Sequence, residues 1–494
     1  MLITSFLQRY LLNKDLSEVD SAAVAQLASL DHLSQIAPDI ADSLMAELKD
    51  QRASLKLIAS ENYSSLAVQL AMGNWLTDKY AEGVPDRRFY AGCQYVDQIE
   101  AHAVNSAKKL FNAEHAYVQP HSGADANLVA FWAMLSAKIV PPFLAKFGKK
   151  TVDELSIEEH ELLRKQMLEQ KLMGMSLNAG GHLTHGYRHN ISSKLFHSVQ
   201  YDVDPKTLLL DYDKLKEQVL KEKPFILIAG YSSYSRKLDF EKLREIADLV
   251  GAFLMVDMAH FAGLVAGGVF EGVYNPIPYA DIVTTTTHKT LRGPRGGLIL
   301  CKEALKEFVD KGCPGVLGGP LPHVIAAKAI AFDEALKPEF QTYSRQVVLN
   351  AKALAQGLMD RGVTISTGGT DNHLMVASIF DRFGLTGRQA ELALREAKIT
   401  VNRNAIPYDK NGPWYTSGIR LGTPALTTRG LKEKEMEIIA DLIVTLLSHT
   451  RPVAQSRAQV VIDENVLSQV RRSLSELLAE FPLYPELLID EIGK

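Results

Sequence analysis

Five residues in one stretch carry the most openly reactive chemistry: Asp257, His260, His288, Lys289 and Arg295. A neutral lysine amine can attack a carbonyl carbon and hold it as a Schiff base. A carboxylate facing the nitrogen of a pyridine ring can keep that nitrogen protonated. A cation beside the amine, or burial of it, lowers its pKa and keeps a fraction nucleophilic. A lone lysine is ordinarily a surface residue; here it has company. Two apolar runs must position the group. Residues 252–256, and 281–283 with the threonines that follow, predict buried parallel strands. Asp257 closes the first run, and His288-Lys289 with a Gly/Pro/Arg-rich turn closes the second. In open α/β sheets, ligands bind beyond the carboxyl ends of such strands.

Other stretches add polar groups at suggestive places. YVQPHSGADAN (117–127) leads into an apolar helix over 128–135, with Ser122 and Gly123 at its start. Free N–H groups and the helix dipole make that position a phosphate cradle, although a plain N-cap serine looks the same in sequence. AGGHLTHG (179–186) holds His182 and His185 three residues apart, with His189 and His197 beyond. A metal cluster is set aside, because no carboxylate or cysteine stands at suitable spacing and the glycines oppose a regular helix. The loop 79–97 is dense in Gly, Pro, Asp, Tyr, Glu and Arg, as site-lining loops often are.

The 494 residues suffice for two or three domains, and 46% hydrophobic with 23% charged is ordinary globular composition. A net charge of −4 gives no general reason to expect nucleic acid or an anionic membrane as partner. Cys93, Cys301 and Cys313 are odd in number and far apart, which fits a reducing compartment. No uninterrupted apolar run is long enough to span a bilayer, and the first residues lack a signal peptide's cleavage site. A cytoplasmic enzyme is expected.

Strands and helices alternate through the middle of the chain, which predicts a mostly parallel α/β sheet. A helical N-terminal arm is expected over 1–56, broken at Pro38, with a second helix over 40–48. A large domain follows over 57–336, carrying a surface insert at 137–176 that opens at Pro141-Pro142. Ser156 and Glu159 in that insert predict a capping box. A smaller α+β domain is expected over 337–494, ending in a helix and a Pro-containing tail.

The string TTTTHKTLRGPRGG (284–297), with LIASENYSS (57–65), KYAEGVPDRRFYAGCQYVD (79–97), the phosphate loop, AGGHLTHG and TSGIRLGTPALTTRG (416–430), resembles serine hydroxymethyltransferase. The resemblance runs from about residue 57 to 424, interrupted by the insert. It implies the pyridoxal-phosphate fold of the aspartate aminotransferases, with a seven-stranded sheet between helices. It also implies pyridoxal 5'-phosphate covalently on Lys289, with Asp257 at the ring nitrogen and His182 against the ring. Ser232 would reach the phenolic oxygen, and His260 and His288 would adjoin the cofactor. Ser122, Gly123, Ala124, Tyr80, Gly318 and Gly319 would hold the phosphate. The substrate, L-serine or glycine, would meet Ser60, Tyr90, Arg295 and Arg420, with Arg420 forking the α-carboxylate. Tetrahydrofolate would lie near Glu82, Phe89, Leu177, Gly181, Leu183, Asn404, Gly412, Pro413 and Trp414, with Glu82 as acid/base.

The implied reaction is reversible transfer of serine's hydroxymethyl group to tetrahydrofolate, leaving glycine. Aldolase or racemase side activity is in reach of the same chemistry. Several site residues would come from the neighbouring subunit, so a homodimer with shared sites is implied. Ala124 stands where the family usually has a second hydroxyl, and Leu317 where it usually has glutamine. The rival reading is another enzyme of this cofactor fold, a threonine aldolase or an amino-acid racemase.

Overall fold

The computed structural model describes residues 5–12 and 14–487. The expectations for the first four residues and for the end of the tail, 488–494, lie outside them.

The arm contains a short helix over Phe6–Leu12 and the two longer helices α1 (Ser21–Ile36) and α2 (Pro38–Ala53). Asp20 caps α1 by accepting from the Ala23 amide, and Pro38 opens α2 at a position that needs no N–H donor. The second helix is therefore longer than the sequence pattern suggested. Leu55 and Lys56 then pair in parallel with Ile399 and Thr400, and Leu55 and Leu57 are buried in the core of the small domain. The junction after the arm thus belongs with the C-terminal unit.

The large domain begins with α3 (Gln94–Phe111), strand β1 (His115–Tyr117) and the long helix α4 (Gly123–Lys146). After α5 (Ile157–Leu168) come β2 (Lys171–Met175), β3 (His197–Tyr201), β4 (Ile226–Gly230), α6 (Phe240–Asp248) and β5 (Phe253–Asp257). Strands β6 (Ile282–Thr286) and β7 (Gly297–Cys301) and helix α7 (Pro322–Ala335) complete it. The seven strands form one sheet in the order β1-β7-β6-β5-β4-β2-β3. Only β7 runs against its neighbours. One face packs against a core that includes Phe111, Phe240, Leu243 and Phe332, and the other against Phe131, Met134, Leu163 and Met167. Strands β4, β5 and β6 are buried on both faces, which is why they read as continuous apolar runs, whereas β3 at the edge is largely open.

The expected insert differs at both ends. Helix α4 continues through Pro141 and Pro142 to Lys146, because both prolines are exposed and Phe143 and Leu144 after them stay buried. Two donors are lost, and the buried side keeps the helix together. At the other end, residues 171–175 form β2 inside the central sheet. The capping box is present: Ser156 accepts from the Glu159 amide, and Glu159 accepts from the Ser156 amide.

Helix α4 is also long and apolar enough to cross a membrane by length and composition. Half of its most apolar window is buried within the protein, where it packs against β6 and β7.

The small domain carries α8 (Pro338–Asp360), then β8 (Thr364–Ile365), β9 (Leu374–Ser378), α9 (Gly387–Glu396), β10 (Asn402–Asn404) and β11 (Gly418–Gly422). Helices α10 (Glu433–Ser448) and α11 (Glu464–Ala479) follow. The four strands lie in the antiparallel order β8-β9-β11-β10, and α8 and α10 pack together beside them.

Candidate active site

Strands β4, β5 and β6 end side by side. Gly230 stands opposite Asp257, and Asp257 opposite Thr284. Lys289 lies three residues beyond β6, at the start of a short 3-10 turn, rather than on the strand end itself. Its backbone is left-handed, with φ +62°, which is uncommon for a residue with a side chain and costs of order 1 kcal/mol or more. Two bonds hold that conformation: Asn62 Nδ2 and the Arg292 amide both donate to the Lys289 carbonyl, at 2.8 and 3.1 Å. Lys289 Nζ donates to Thr286 Oγ1 at 3.1 Å. Burial lowers the amine's pKa to about 8, Asp257 opposes that shift, and Arg295 and Arg420 add to it.

Asp257 is buried, and both of its oxygens are engaged. Oδ1 accepts from the Ala259 amide at 3.0 Å, and Oδ2 accepts from Asn127 Nδ2 at 3.0 Å and lies 3.1 Å from His185 Nε2. Burial alone would raise its pKa. The hydrogen bonds from His185 and Asn127, with the electrostatic pull of His185, outweigh it and hold the carboxyl below its ordinary range. The chain extends outward: Asn127 also donates to Thr184 Oγ1 at 2.7 Å and accepts from Thr284 Oγ1 at 2.6 Å, and His182 Nδ1 lies 2.8 Å from Thr184 Oγ1. His182 is thereby fixed close to Asp257.

His182, His185 and Asp257 also have the mutual distances of a possible metal site. Sequence spacing alone offered no carboxylate there; the fold brings Asp257 to the histidines. The hydrogen bonds already made by that carboxylate match a relay that orients His185.

Four imidazoles near the amine are held neutral. Burial lowers the pKa of His182 to about 4, and of His288 and His373 to about 3. His260 is also driven well below its ordinary value by burial, and its Nδ1 lies 3.1 Å from His373 Nε2. Neutral rings avoid adding charge beside Lys289, Arg295 and Arg420.

A cleft of about 240 Å³ gathers residues from three parts of the chain. Leu177, Gly181, His182 and Leu183 line it from one side, Ser232 from the β4 end, and Asn404, Pro413 and Arg420 from the small domain. Arg420 is on β11; its Nε donates to Asn402 Oδ1 at 3.1 Å and its Nη1 to the Ser232 carbonyl at 2.6 Å. Its Nη2 has no hydrogen-bond partner among the described residues. Gly412 and Trp414 fall in a short helix beside Pro413, where Trp414 is exposed and takes the guanidinium groups of Arg388 and Arg403 over its ring.

The expected phosphate loop sits at the N-terminus of α4, and a Cβ at Gly123 would come within 2.7 Å of Thr286 Cγ2. Ser122 Oγ serves the helix itself: it accepts from the Asp125 amide and donates to Asp125 Oδ2. The Gly123 and Ala124 amides, in the first turn, have no intrahelical partner to meet. This opening, the buried amine and the ionised Asp257 form a set that fits an aromatic aldehyde bearing a phosphate and a ring nitrogen.

Tyr80, Glu82, Phe89 and Tyr90 gather in the loop 79–97, and Gly319 beside Tyr80 lies 3.2 Å from His121 Nε2 through its carbonyl. The Tyr80 and Tyr90 rings lie 4.9 Å apart, and Tyr80 packs against Gly319. Glu82 is close enough to Tyr90 and Cys313 to add to the burial that raises both. The charges that act on Lys289 within its own chain are those of Asp257, Arg295 and Arg420. Tyr80, Phe89 and Tyr90 are all exposed. Arg295 is exposed too and reaches Lys289 and His288 through its charge, while Ser60 is half-buried. Gly318 accepts from Cys313 Sγ.

Sequence reasoning assigned no role to Asn127, Thr184, His185, Asn62 or His373. Asn127 and His185 stood inside strings already singled out, but their partners are 57 and 72 residues away in sequence.

A family model described as serine hydroxymethyltransferase matches residues 33–141 and 162–443, leaving out 142–161, where α5 begins. A protein of Salinispora tropica named serine hydroxymethyltransferase is 56% identical over 473 residues, 95% of this chain and 99% of its own length. One of the same name from Cutibacterium acnes is 55% identical over 479 residues, 96% and 97% of the two chains. One from Chlamydia trachomatis is 52% identical over 497 residues, 99% and 100%.

Proposed function

From the premise that this chain belongs to the serine hydroxymethyltransferase family, we propose an assignment of its residues to the steps of that reaction. The enzyme is a pyridoxal-phosphate-dependent transferase that moves the hydroxymethyl group of serine reversibly to tetrahydrofolate, leaving glycine. The relatives' shared name favours this over a threonine aldolase or a racemase. One observation carries the residue assignment: a buried amine with its pKa lowered to about 8 stands one strand away from a buried, ionised carboxylate.

When bound, pyridoxal 5'-phosphate supplies an electron sink that makes the bonds at the amino acid's α-carbon labile. Lys289 holds the aldehyde carbon; a pKa of about 8 leaves a useful neutral fraction of its amine near neutral pH. Asp257 keeps a proton on the ring nitrogen, and His185 and Asn127 keep Asp257 ionised for that purpose. His182, tied through Thr184 to the same network, would face the bound cofactor. The α4 amides at Gly123 and Ala124 receive the phosphate, with Ser232 near the ring oxygen. The free Nη2 of Arg420 takes the substrate carboxylate, and the cleft walls at Leu177, Gly181, Leu183, Asn404 and Pro413 take the folate.

Glu82 moves the proton between the substrate hydroxyl and folate, and it does so in the site of a second subunit. The exposed aromatics Tyr80, Phe89 and Tyr90, clustered around Glu82 and Gly319, supply the contact face of a homodimer. A cytoplasmic enzyme suits the three buried, unpaired cysteines.

The deciding experiment measures serine cleavage with and without tetrahydrofolate. Strong stimulation by tetrahydrofolate is expected; cleavage indifferent to it would return the assignment to an aldolase.

A further inference from the structure

Lys328, on α7, is 1% exposed and belongs to none of the groups assigned so far. Its ammonium makes three hydrogen bonds, all to backbone carbonyls: Val118 at 2.6 Å, Pro120 at 2.9 Å and Gly297 at 2.9 Å. An ammonium has three N–H donors, so the count is saturated and a neutral amine would lose one bond. Among the described residues no carboxylate is bonded to it. Glu100 and Asp125 act on it only through their charges, and burial lowers its pKa to about 7.

The three carbonyls come from two segments that meet over this side chain. Val118 and Pro120 belong to the strand end that leads into Ser122 and Gly123. Gly297 closes the segment that carries Lys289. The Gly297 amide also donates to the Pro120 carbonyl at 2.9 Å, and the Thr287 amide to Gly296 at 3.1 Å. The glycine pair makes the approach possible: a Cβ at Gly296 would come within 2.5 Å of Lys328 Cε, and one at Gly297 within 2.2 Å of the Ser122 carbonyl oxygen. The cation therefore stands directly behind the anion-binding turn, and its charge is also felt at His288.

We propose that Lys328 is a positioning residue that clamps the turn at 118–123 onto the lysine-bearing segment at 286–297, and so sets the affinity of the site for the phosphate of its cofactor. The clamp acts on the phosphate end and leaves the aldehyde end to Lys289. It rests on the cofactor reading above.

The test compares two aldehydes that differ only in the phosphate. Cofactor-free wild type and Lys328→Met are titrated with pyridoxal 5'-phosphate and with pyridoxal, following visible absorbance. The expected result is a loss of about tenfold or more in affinity for the phosphorylated aldehyde, against about twofold or less for pyridoxal. Lys328→Arg, which keeps the charge and donors, recovers part of the preference. An unchanged ratio of the two affinities, or equal loss of both, overturns the proposal. Should Lys328→Met fail to fold, Lys328→Gln, which still donates through its amide, takes its place.

Amide hydrogen exchange at 119–124 in the cofactor-free proteins reads the clamp without any ligand. Faster exchange in the variant is expected, and identical exchange overturns the clamp. A wild type that forms no absorbing adduct with either aldehyde would instead overturn the cofactor reading, while the exchange result would still decide the clamp.

Discussion

Arg88 brackets Glu82: one guanidinium nitrogen donates to the carbonyls of Ala81 and Gly83, at 2.9 and 2.8 Å, on either side of the glutamate. The other nitrogens pair with Asp97 at 2.8 Å and with Glu100 at 2.6 Å, and Gln119 adds bonds to the Gly83 carbonyl and to Glu100. Both peptides beside the proposed acid/base are thus tied to α3 and to the end of β1. Burial raises the pKa of Glu100, and the charge and hydrogen bond of Arg88, with a bond from Gln119, oppose that rise. Arg88→Met leaves that carboxylate buried and unpaired, which costs about 3–5 kcal/mol of stability where it stays charged. Thermal unfolding reads this as a clear drop in midpoint. Glu100→Gln, which removes charge but keeps a hydrogen-bond partner, is expected to be milder. Equal midpoints for Arg88→Met and wild type would show that the bracket holds nothing.

Glu82→Gln separates positioning from chemistry. Its backbone bracket is intact, so the protein should fold and still bind glycine, seen as an absorbance change of the bound cofactor. Folate-dependent serine turnover should fall by about a hundredfold or more, the scale of a lost general acid/base. Normal turnover would remove Glu82 from its role.

Lys289 gives a pH signature. The amine's folded pKa, about 8, lies below its ordinary 10.5. The neutral form is the nucleophile, so cofactor-free protein should capture pyridoxal faster as pH rises through about 8, levelling above it. The same shift makes the unfolded chain bind more protons between about 8 and 10.5, so this residue's share of stability rises with pH across that window. Lys289→Ala should yield colourless turnover-dead protein. A capture rate still climbing steeply at pH 10 would mean that the amine is not desolvated.

Asp257→Asn keeps the shape and removes the charge. The bonds from Ala259, Asn127 and His185 are built for a carboxylate, and the NH2 that replaces one of its oxygens faces an N–H donor whichever way the amide turns. Turnover should drop about tenfold to a hundredfold or more. Because the folded pKa is depressed, the stability supplied by Asp257 is present at neutral pH and is lost only as pH falls through that lowered value. Acid unfolding of Asp257→Asn should therefore lack part of the wild-type pH dependence below the ordinary aspartate range. Identical acid profiles would show the network to be energetically idle.

The strand that carries Asp257 and the one that leads to Lys289 were legible because they are buried on both faces and read as unbroken apolar runs. The capping box at Ser156 was legible because it is local. What stayed hidden depends on distance in sequence. Asp257 meets His185 across 72 residues, and Lys328 meets Val118 across 210. Neither spacing carries a periodic signal. The insert's boundaries were misread for a different reason: prolines normally end helices, but Pro141 and Pro142 sit on the exposed side of α4, where the buried face outweighs two lost bonds. Ser122 was read as a phosphate ligand, and a hydroxyl at that position serves equally well as the N-cap that Asp125 engages.

Shared sites make a prediction that no single variant can. Glu82 clusters with Tyr80, Tyr90 and Gly319 rather than with the charges around Lys289, so each complete site would draw Lys289 from one subunit and Glu82 from the other. Lys289→Ala and Glu82→Gln homodimers should each be inactive. A hybrid dimer holds one site with both defects and one with neither. Random mixing makes half of the dimers hybrids, so co-expression should restore about a quarter of wild-type turnover per subunit. Differently tagged chains isolated as pure hybrids should reach about half. If the mixture stays as inactive as its parents, Glu82 and Lys289 serve the same chain, and the exposed aromatic face needs another partner.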